Sequence, residues 1–266
     1  MSSRVRLSLV ISTFNQPVPL AKVFAGLKLQ VRWPDEILIA DDGSGEATRE
    51  LVKEFAAISP APVRHVWHEH NGFRKTMVLN QTVVTAAGDY LVFTDGDCVP
   101  HRKFIADHAA LAEPGFWVQG RRCFVREEYV PGFEPGRIHS GLWMLTGRIT
   151  GAAKGVRWPL PLIRRDTRQR GIIGCNMAFW REDLQAVNGF DEEYSGWGVG
   201  EDSDVATRVY HLGRRRKVVY GRAITFHLNH PQLPRNHHAA SLSRLAKTIA
   251  ARKIACERGL NLHRPP

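Results

Sequence analysis

The first 120 residues alternate two hydrophobic patterns. Short runs in which nearly every position is apolar are separated by longer stretches whose apolar positions recur every three or four residues. Leu7-Ser8-Leu9-Val10-Ile11, Glu36-Ile37-Leu38-Ile39-Ala40, residues 63–67 and Tyr90-Leu91-Val92-Phe93 read as strands. Four stretches read as helices: residues 17–29 with Leu20, Val23, Phe24 and Leu27 at helical spacing, residues 48–57, residues 75–87 stopped by Gly88, and residues 100–111 with Pro100 at the start. Strands alternating with helices predict an α/β fold with a mostly parallel sheet and right-handed crossovers.

Sheets of this kind bind ligands beyond the carboxyl ends of their strands. Polar residues gather at those ends: Ser12-Thr13-Phe14-Asn15 after the first, Asp41-Asp42 after the second, Asp95-Gly96-Asp97 after the fourth. Side chains two apart on a strand point the same way, so Asp95 and Asp97 can aim two carboxylates at one point. Hard cations and the phosphates they carry suit that arrangement. The competing reading of Asp-Gly-Asp is an ordinary turn; three strand ends bearing oxygen ligands are harder to read as turns than one.

The second half is less regular. Residues 121–171 mix Gly, Pro, Arg and aromatics, as in Trp158-Pro159-Leu160-Pro161, and read as a mobile cover or an acceptor-facing segment. Order returns at residues 172–181. Residues 202–212 read as a helix stopped by Gly213, and residues 218–220 and 223–226 as strands followed by His227-Leu228-Asn229-His230. In the tail, residues 239–262, Leu242, Leu245, Ile249 and Ile254 alternate with Arg244, Lys247, Arg252 and Lys253, an amphipathic basic helix. It can dock on the domain or on an anionic membrane surface.

Composition changes this picture little. The 266 residues are 43% hydrophobic and 24% charged, ordinary for a globular protein. The N-terminal residues run straight into a strand, and no apolar run is long enough to cross a bilayer. Four scattered cysteines suggest free thiols, so a cytoplasmic location is expected, with contact at the inner face of the membrane through the tail. The net charge of +11 admits nucleic acid, an anionic membrane or a phosphorylated substrate as partner.

Five motifs in order carry a resemblance: Val10-Ile11-Ser12-Thr13-Phe14-Asn15, Ala40-Asp41-Asp42-Gly43-Ser44, Asn71-Gly72-Phe73, Thr94-Asp95-Gly96-Asp97 and Trp197-Gly198-Val199-Gly200-Glu201-Asp202. Together they resemble the family 2 glycosyltransferases of the GT-A fold, a Rossmann-like sheet flanked by helices. The stretch from Gly174-Cys175-Asn176 to Asp202 is similar to a galactosyltransferase C-terminal region. The resemblance implies a nucleotide-sugar-binding half over residues 1–120, an acceptor-side and catalytic-base half over 121–235, and the terminal helix over 236–266. It implies an inverting, metal-dependent transfer from a nucleotide sugar, by analogy UDP-linked, to a saccharide or lipid-linked saccharide acceptor in surface glycan synthesis.

The roles it implies fall on these residues. Thr13, Asn15, Asp41, Asp42, Asn71, Lys75 and Asp95 would bind the donor, Asp41 through its base. Arg74 and Lys75, just before a helix, suit a diphosphate. Asp97, Asp95 and His227 would hold Mn²⁺ or Mg²⁺, the imidazole tilting the preference toward Mn²⁺. Asp202 would be the general base, with Glu201 and Trp197 on the acceptor; Trp197 also suits core packing. Asp202 also suits helix capping, but Ser203 and Asp204 are available for that. The loop Asn71-Gly72-Phe73-Arg74-Lys75 is bulkier than is usual in the family.

Two other classes fit the sequence less well. A nucleotidyltransferase on a related sheet would normally carry a Gly-rich basic loop after the first strand, and Thr13-Phe14-Asn15-Gln16-Pro17 is not one. A nucleic-acid-binding protein is opposed by the strand-end carboxylates, which repel phosphates unless a metal intervenes.

Overall fold

The fold was analysed in a computed structural model, which describes residues 4–140, 146–166, 171–196, 200–231 and 238–263. Four parallel strands form one half of an eight-stranded sheet: β1 (Leu7–Thr13), β2 (Glu36–Asp41), β3 (Val63–Trp67) and β4 (Tyr90–Asp95). The helices between them are α1 (Pro17–Lys28), α2 (Glu46–Ile58) and α3 (Lys75–Thr85). β1, β2 and all but the last residue of β4 are buried, as expected of strands covered on both faces.

The side chains of these strands divide by parity. Leu9, Ile11, Ile37 and Ile39 face a core shared with Leu20, Phe24 and Phe55 of α1 and α2, where Phe24 and Phe55 stack at 4.0 Å. Val10, Leu38 and Ala40 face the opposite core, shared with Val78, Leu79 and Val83 of α3.

Two short segments depart from the sequence reading. Pro100 does not start a helix. It ends β5 (Cys98–Pro100), and α4 begins only at Phe104 (Phe104–Leu111). Strand β5 is the edge of a second sheet, where a residue lacking an N–H is tolerated. The segment after residue 111 holds more order than its composition suggests: β6 (Phe116–Gln119), β7 (Arg121–Val125), β8 (Ile149–Thr150) and β9 (Leu162–Asp166). These strands are short, and β7 and β9 each carry two adjacent arginines, so no clear period shows.

The remaining elements are β10 (Met177–Trp180), α5 (Arg181–Ala186), α6 (Glu201–His211), β11 (Arg215–Tyr220), β12 (Ile224–Leu228) and α7 (His238–Ala250). The large sheet runs β3-β2-β1-β4-β10-β6-β11-β9 and the smaller one β5-β12-β7-β8. β10 is antiparallel to both β4 and β6, and β11 runs parallel to β6.

The tail helix is shorter than its pattern implies. α7 ends at Ala250, Arg252 turns into the left-handed region at φ 47°, and a short 3₁₀ turn follows at Leu260–Leu262. Its packed face is hydroxylic: Ser241 and Thr248 are buried, and Thr248 Oγ1 donates to Asp204 Oδ1 at 2.9 Å. Leu242 and Ile249 face outward. Among the described residues no helix is long and apolar enough to cross a membrane.

Candidate active site

The sheet order sets the place of the site. β1 lies between β2 and β4, so the chain leaves it toward one side for β2 and β3 and returns on the other for β4. A crevice opens at the carboxyl ends of strands that part this way. A cleft of about 500 Å³ lies there, and Thr13, Asp42, Lys75, Asp97, Asp202 and His227 are among the residues that line it.

Asp95 is the last residue of β4 and pairs in register with Ser12 of β1. Ser12 Oγ donates to its Oδ1 at 2.7 Å and Lys75 Nζ reaches the same oxygen at 2.9 Å. Burial pushes the Asp95 carboxyl up, but the Lys75 ammonium and these hydrogen bonds outweigh it and hold the group below its ordinary value. Lys75 is held charged: burial opposes this, and Asp95, Glu201 and Asp202 overcome it.

Asp97 faces a different set of partners. Its Oδ2 lies 3.5 Å from His227 Nε2 and 3.1 Å from His230 Nε2, and Cys98 Sγ donates to its Oδ1 at 3.3 Å. Pairing of β12 with β5 sets His227 opposite Cys98 and so brings the imidazole to Asp97. Burial lowers the His227 pKa despite Asp97, which favours the neutral ring a metal ligand needs. His230 is pushed up to about 9, chiefly by its hydrogen bond with Asp97.

These donors fit a divalent cation. Ligand atoms of Asp97, Cys98 and His227 lie within 4.8 Å of one another, with Asp95 two residues away on the same strand end. Thr13 Oγ1 and His227 Nδ1 are buried without a protein partner. A carboxylate–imidazole set of this kind could hold Mn²⁺ or Mg²⁺.

The nucleotide end is arranged differently from the sequence reading. Asp41 does not line the cleft. It is fully buried, with Oδ1 accepting from the Ser44 N–H at 2.8 Å and Oδ2 2.8 Å from His65 Nε2. Asp42 does line it, and its carboxylate holds His68 Nε2 at 2.7 Å and the Arg74 N–H at 2.9 Å. Asn15 ties the two strand-end loops together: its N–H donates to Ser44 Oγ at 2.8 Å and its Oδ1 accepts from the Gly45 N–H at 2.9 Å. Asn71 is exposed on the following loop and outside the cleft lining. The Arg74 guanidinium turns to the Glu69 carbonyl, leaving Lys75 as the cation of that loop in the cleft.

The sequence assigns no role to several lining residues. Phe14 and His70 stack at 4.4 Å with 20° between their planes, at the mouth between β1 and β2. Arg122 and Cys175 also line the cleft, with Arg122 Nη1 3.6 Å from Cys175 Sγ. His230 could have been found from its spacing to His227.

Glu201 and Asp202 open α6, whose N-cap is Gly200 at φ 105°. Gly200 has no side chain to cap the helix, and Ser203 and Asp204, expected to cap it, do not; the Asp202 carboxylate itself takes a first-turn N–H. Asp204 is buried against Arg208 and Thr248, and Ser203 turns its N–H to Asp202 Oδ1 at 2.6 Å. Gly174 leaves room for the Asp202 carboxylate: a Cβ there would lie 2.9 Å from Asp202 Oδ2. Trp197 lies outside the described residues.

Burial, then the Asp202 charge, push Glu201 up to about 7, with Lys75 opposing. Its folded pKa therefore exceeds the ordinary 4.5. Below that value both states hold the proton; as pH rises from about 4.5 to 7 the unfolded chain releases it first, so stability falls across this window. Glu201→Gln is expected to raise thermal stability at pH 8 by about 1–3 kcal/mol and to change it little near pH 4.5. Melting curves at the two pH values check this; an equal effect at both would show that Glu201 titrates normally.

Comparison with known proteins decides the family. The sequence model for glycosyl transferase family 2 matches residues 8–185, from β1 through β10. The chain belongs to glycosyl transferase family 2. A second model, described as the N-terminal domain of galactosyltransferase, matches residues 159–231, which include Glu201, Asp202 and His227. This family 2 chain is 25% identical over 235 residues to a hyaluronan synthase of Pasteurella multocida, covering 82% of this chain and 24% of that protein. It is 27% identical over 246 residues to a chondroitin synthase of Escherichia coli, covering 85% and 35% respectively. The chain thus spans about a quarter to a third of the length of these curated relatives.

The fold is that of the GT-A glycosyltransferases. A mannosyltransferase from Pyrobaculum calidifontis, solved with GDP-Man and Mn²⁺, superposes with a TM-score of 0.57 at 21% identity, over 94% of this chain and 64% of that one. TarS residues 1–349 of S. aureus, solved with UDP, gives 0.64 at 15% identity, over 97% and 68%.

Proposed function

We propose that this family 2 chain transfers a sugar from a nucleotide sugar to a saccharide hydroxyl with inversion at the anomeric carbon, using a divalent metal. One observation supports this above the others. Lys75 serves both acidic groups of the cleft: its Nζ lies 2.9 Å from Asp95 Oδ1, and the charges of Glu201 and Asp202 at the start of α6 also act on it. The Asp95–Asp97–His227 side is suited to a metal-bound diphosphate, and the α6 side to an acceptor.

In this reading Thr13, Asp42 and the Phe14–His70 stack receive the base and ribose, and Lys75 neutralises diphosphate oxygens. Asp41, enclosed with His65, shapes the base pocket from behind. A divalent cation bound by Asp97 and His227, with Asp95 beside them, would stabilise negative charge on the departing nucleotide. Asp202 accepts the proton of the attacking hydroxyl, and Glu201 orients the acceptor. An inverting displacement needs the base across the sugar from the leaving group, and both carboxylate sets line the one cleft in which that attack would take place. The glycan-synthase relatives favour a polysaccharide or lipid-linked saccharide acceptor, and UDP as the nucleotide rests on the same analogy.

Thermal-shift measurements with UDP- and GDP-sugars, with Mn²⁺ and with chelator, test the donor half. A ligand that binds only the folded state raises the melting temperature. The expected result is a shift for one nucleotide class that chelation abolishes; no shift with any nucleotide sugar would overturn the proposal.

A further inference from the structure

Residues 156–163 present an apolar patch that the catalytic reading does not use. Val156, Trp158, Leu160, Leu162 and Ile163 are all exposed, Leu160 at 83% and Leu162 at 56%. Five large apolar side chains exposed within eight residues are unusual on a water-facing surface. The backbone beneath them is fixed. The Trp158 N–H donates to the Gly221 carbonyl at 3.3 Å, and Arg222 donates to the carbonyls of Trp158 and, at 2.8 Å, Pro159. A Cβ on Gly221 would lie 2.9 Å from Trp158 Cβ, so the two segments touch closely.

The patch lies at the edge of the sheet where the cleft opens. β9 runs antiparallel to β11, with Leu162 opposite Tyr220 at the carboxyl end of β11. β11 runs parallel to β6, and β6 and β4 are both antiparallel to β10. The carboxyl ends of β11 and β4 therefore share one edge, and the chain enters β9 at that edge.

The chemistry of the patch selects its occupant. Arg164 and Arg165 follow directly and are 50% and 60% exposed, each also within reach of a carboxylate, Arg164 of Asp166 at 2.8 Å and Arg165 of Glu113 at 3.5 Å. Trp and Leu flanked by Arg suit the interface of an anionic bilayer, where rings and aliphatic chains enter the headgroup region and guanidinium groups meet lipid phosphates. A second copy adding to the β9 edge fits less well: Pro159 and Pro161 offer no N–H beside it, and the two Arg would meet like charges.

We infer that residues 156–163 seat the protein on an anionic membrane surface, with the mouth of the cleft at that surface. The inference rests on surface chemistry and not on the transferase reading, because vesicle binding is measured without turnover. Flotation with vesicles of phosphatidylglycerol and phosphatidylcholine, and of phosphatidylcholine alone, tests it. The intact chain is expected to float with the anionic vesicles and to be released by high salt. Leu160→Glu/Leu162→Glu is expected to lower its partition by about tenfold or more, since two apolar contacts become repelled charges. Leu242→Glu/Ile249→Glu, on the outward face of α7, is expected to leave partition within about twofold. Three results would each overturn the inference: no flotation of the intact chain, loss of binding in the α7 variant alone, or sedimentation showing a dimer that the Leu160/Leu162 variant dissolves.

Discussion

Asp97→Ala is expected to reduce sugar transfer by about a thousandfold or more while the chain stays folded. Asp97 is the carboxylate on which two imidazoles converge, His227 Nε2 at 3.5 Å and His230 Nε2 at 3.1 Å. A cation held there by Asp97 and His227 would stabilise the leaving nucleotide by several kcal/mol, and a loss of about 4 kcal/mol is about a thousandfold in rate. Folding should depend on Asp97 much less, because β4 and β5 are held by backbone pairing to β1 and β12. The loss of Asp97 also removes the group that holds His230 near 9, so that imidazole should titrate closer to its ordinary value. Transfer rate, Mn²⁺ affinity by calorimetry and the His230 titration by NMR check the prediction together. Full activity in the variant would remove Asp97 from the metal site.

Asp202→Asn is expected to keep donor binding and to lose about a hundredfold to ten-thousandfold in kcat. The amide preserves shape and can still accept the Ser203 N–H, now 2.6 Å from Asp202 Oδ1, so α6 should start where it does. What it cannot do is take a proton. Glu201 provides an internal control. Its raised pKa owes part of its shift to the Asp202 charge, so Asp202→Asn should also lower the Glu201 pKa. A variant that turns over at the native rate would transfer the base role to another group. One that loses donor binding as well would show that Asp202 serves the fold or the nucleotide instead.

Much of this arrangement was legible along the chain because its signals are local. β1, β2 and β4 are continuous apolar runs, and α1 and α6 show helical spacing, so each could be placed within a few residues. Asp95 and Asp97 stand out in the sequence, but the period of two that suggested they aim together does not apply: β4 ends at Asp95, Asp97 lies in the turn beyond it, and the two take different partners. β7 and β9 were not visible, since a five-residue strand with two adjacent arginines has no apolar period to display. Pro100 misled because proline suits both a helix start and an edge strand, and only the pairing of β5 with β12 decides between them.

The sequence by itself determined the family, the parallel half of the sheet and the acidic strand ends, because those depend on neighbours a few residues apart. The tertiary structure decided what each acid can do. Asp41 and Asp42 are adjacent in sequence, yet His65 and Ser44 enclose the first while the second opens on the cleft. His230, Phe14, His70 and Arg122 enter the site through strand pairing and loop contacts, some of them across more than a hundred residues of chain. A carboxylate's role follows from its desolvation and from the charges a few ångströms away, and those are set when distant segments pack, not by their order along the chain.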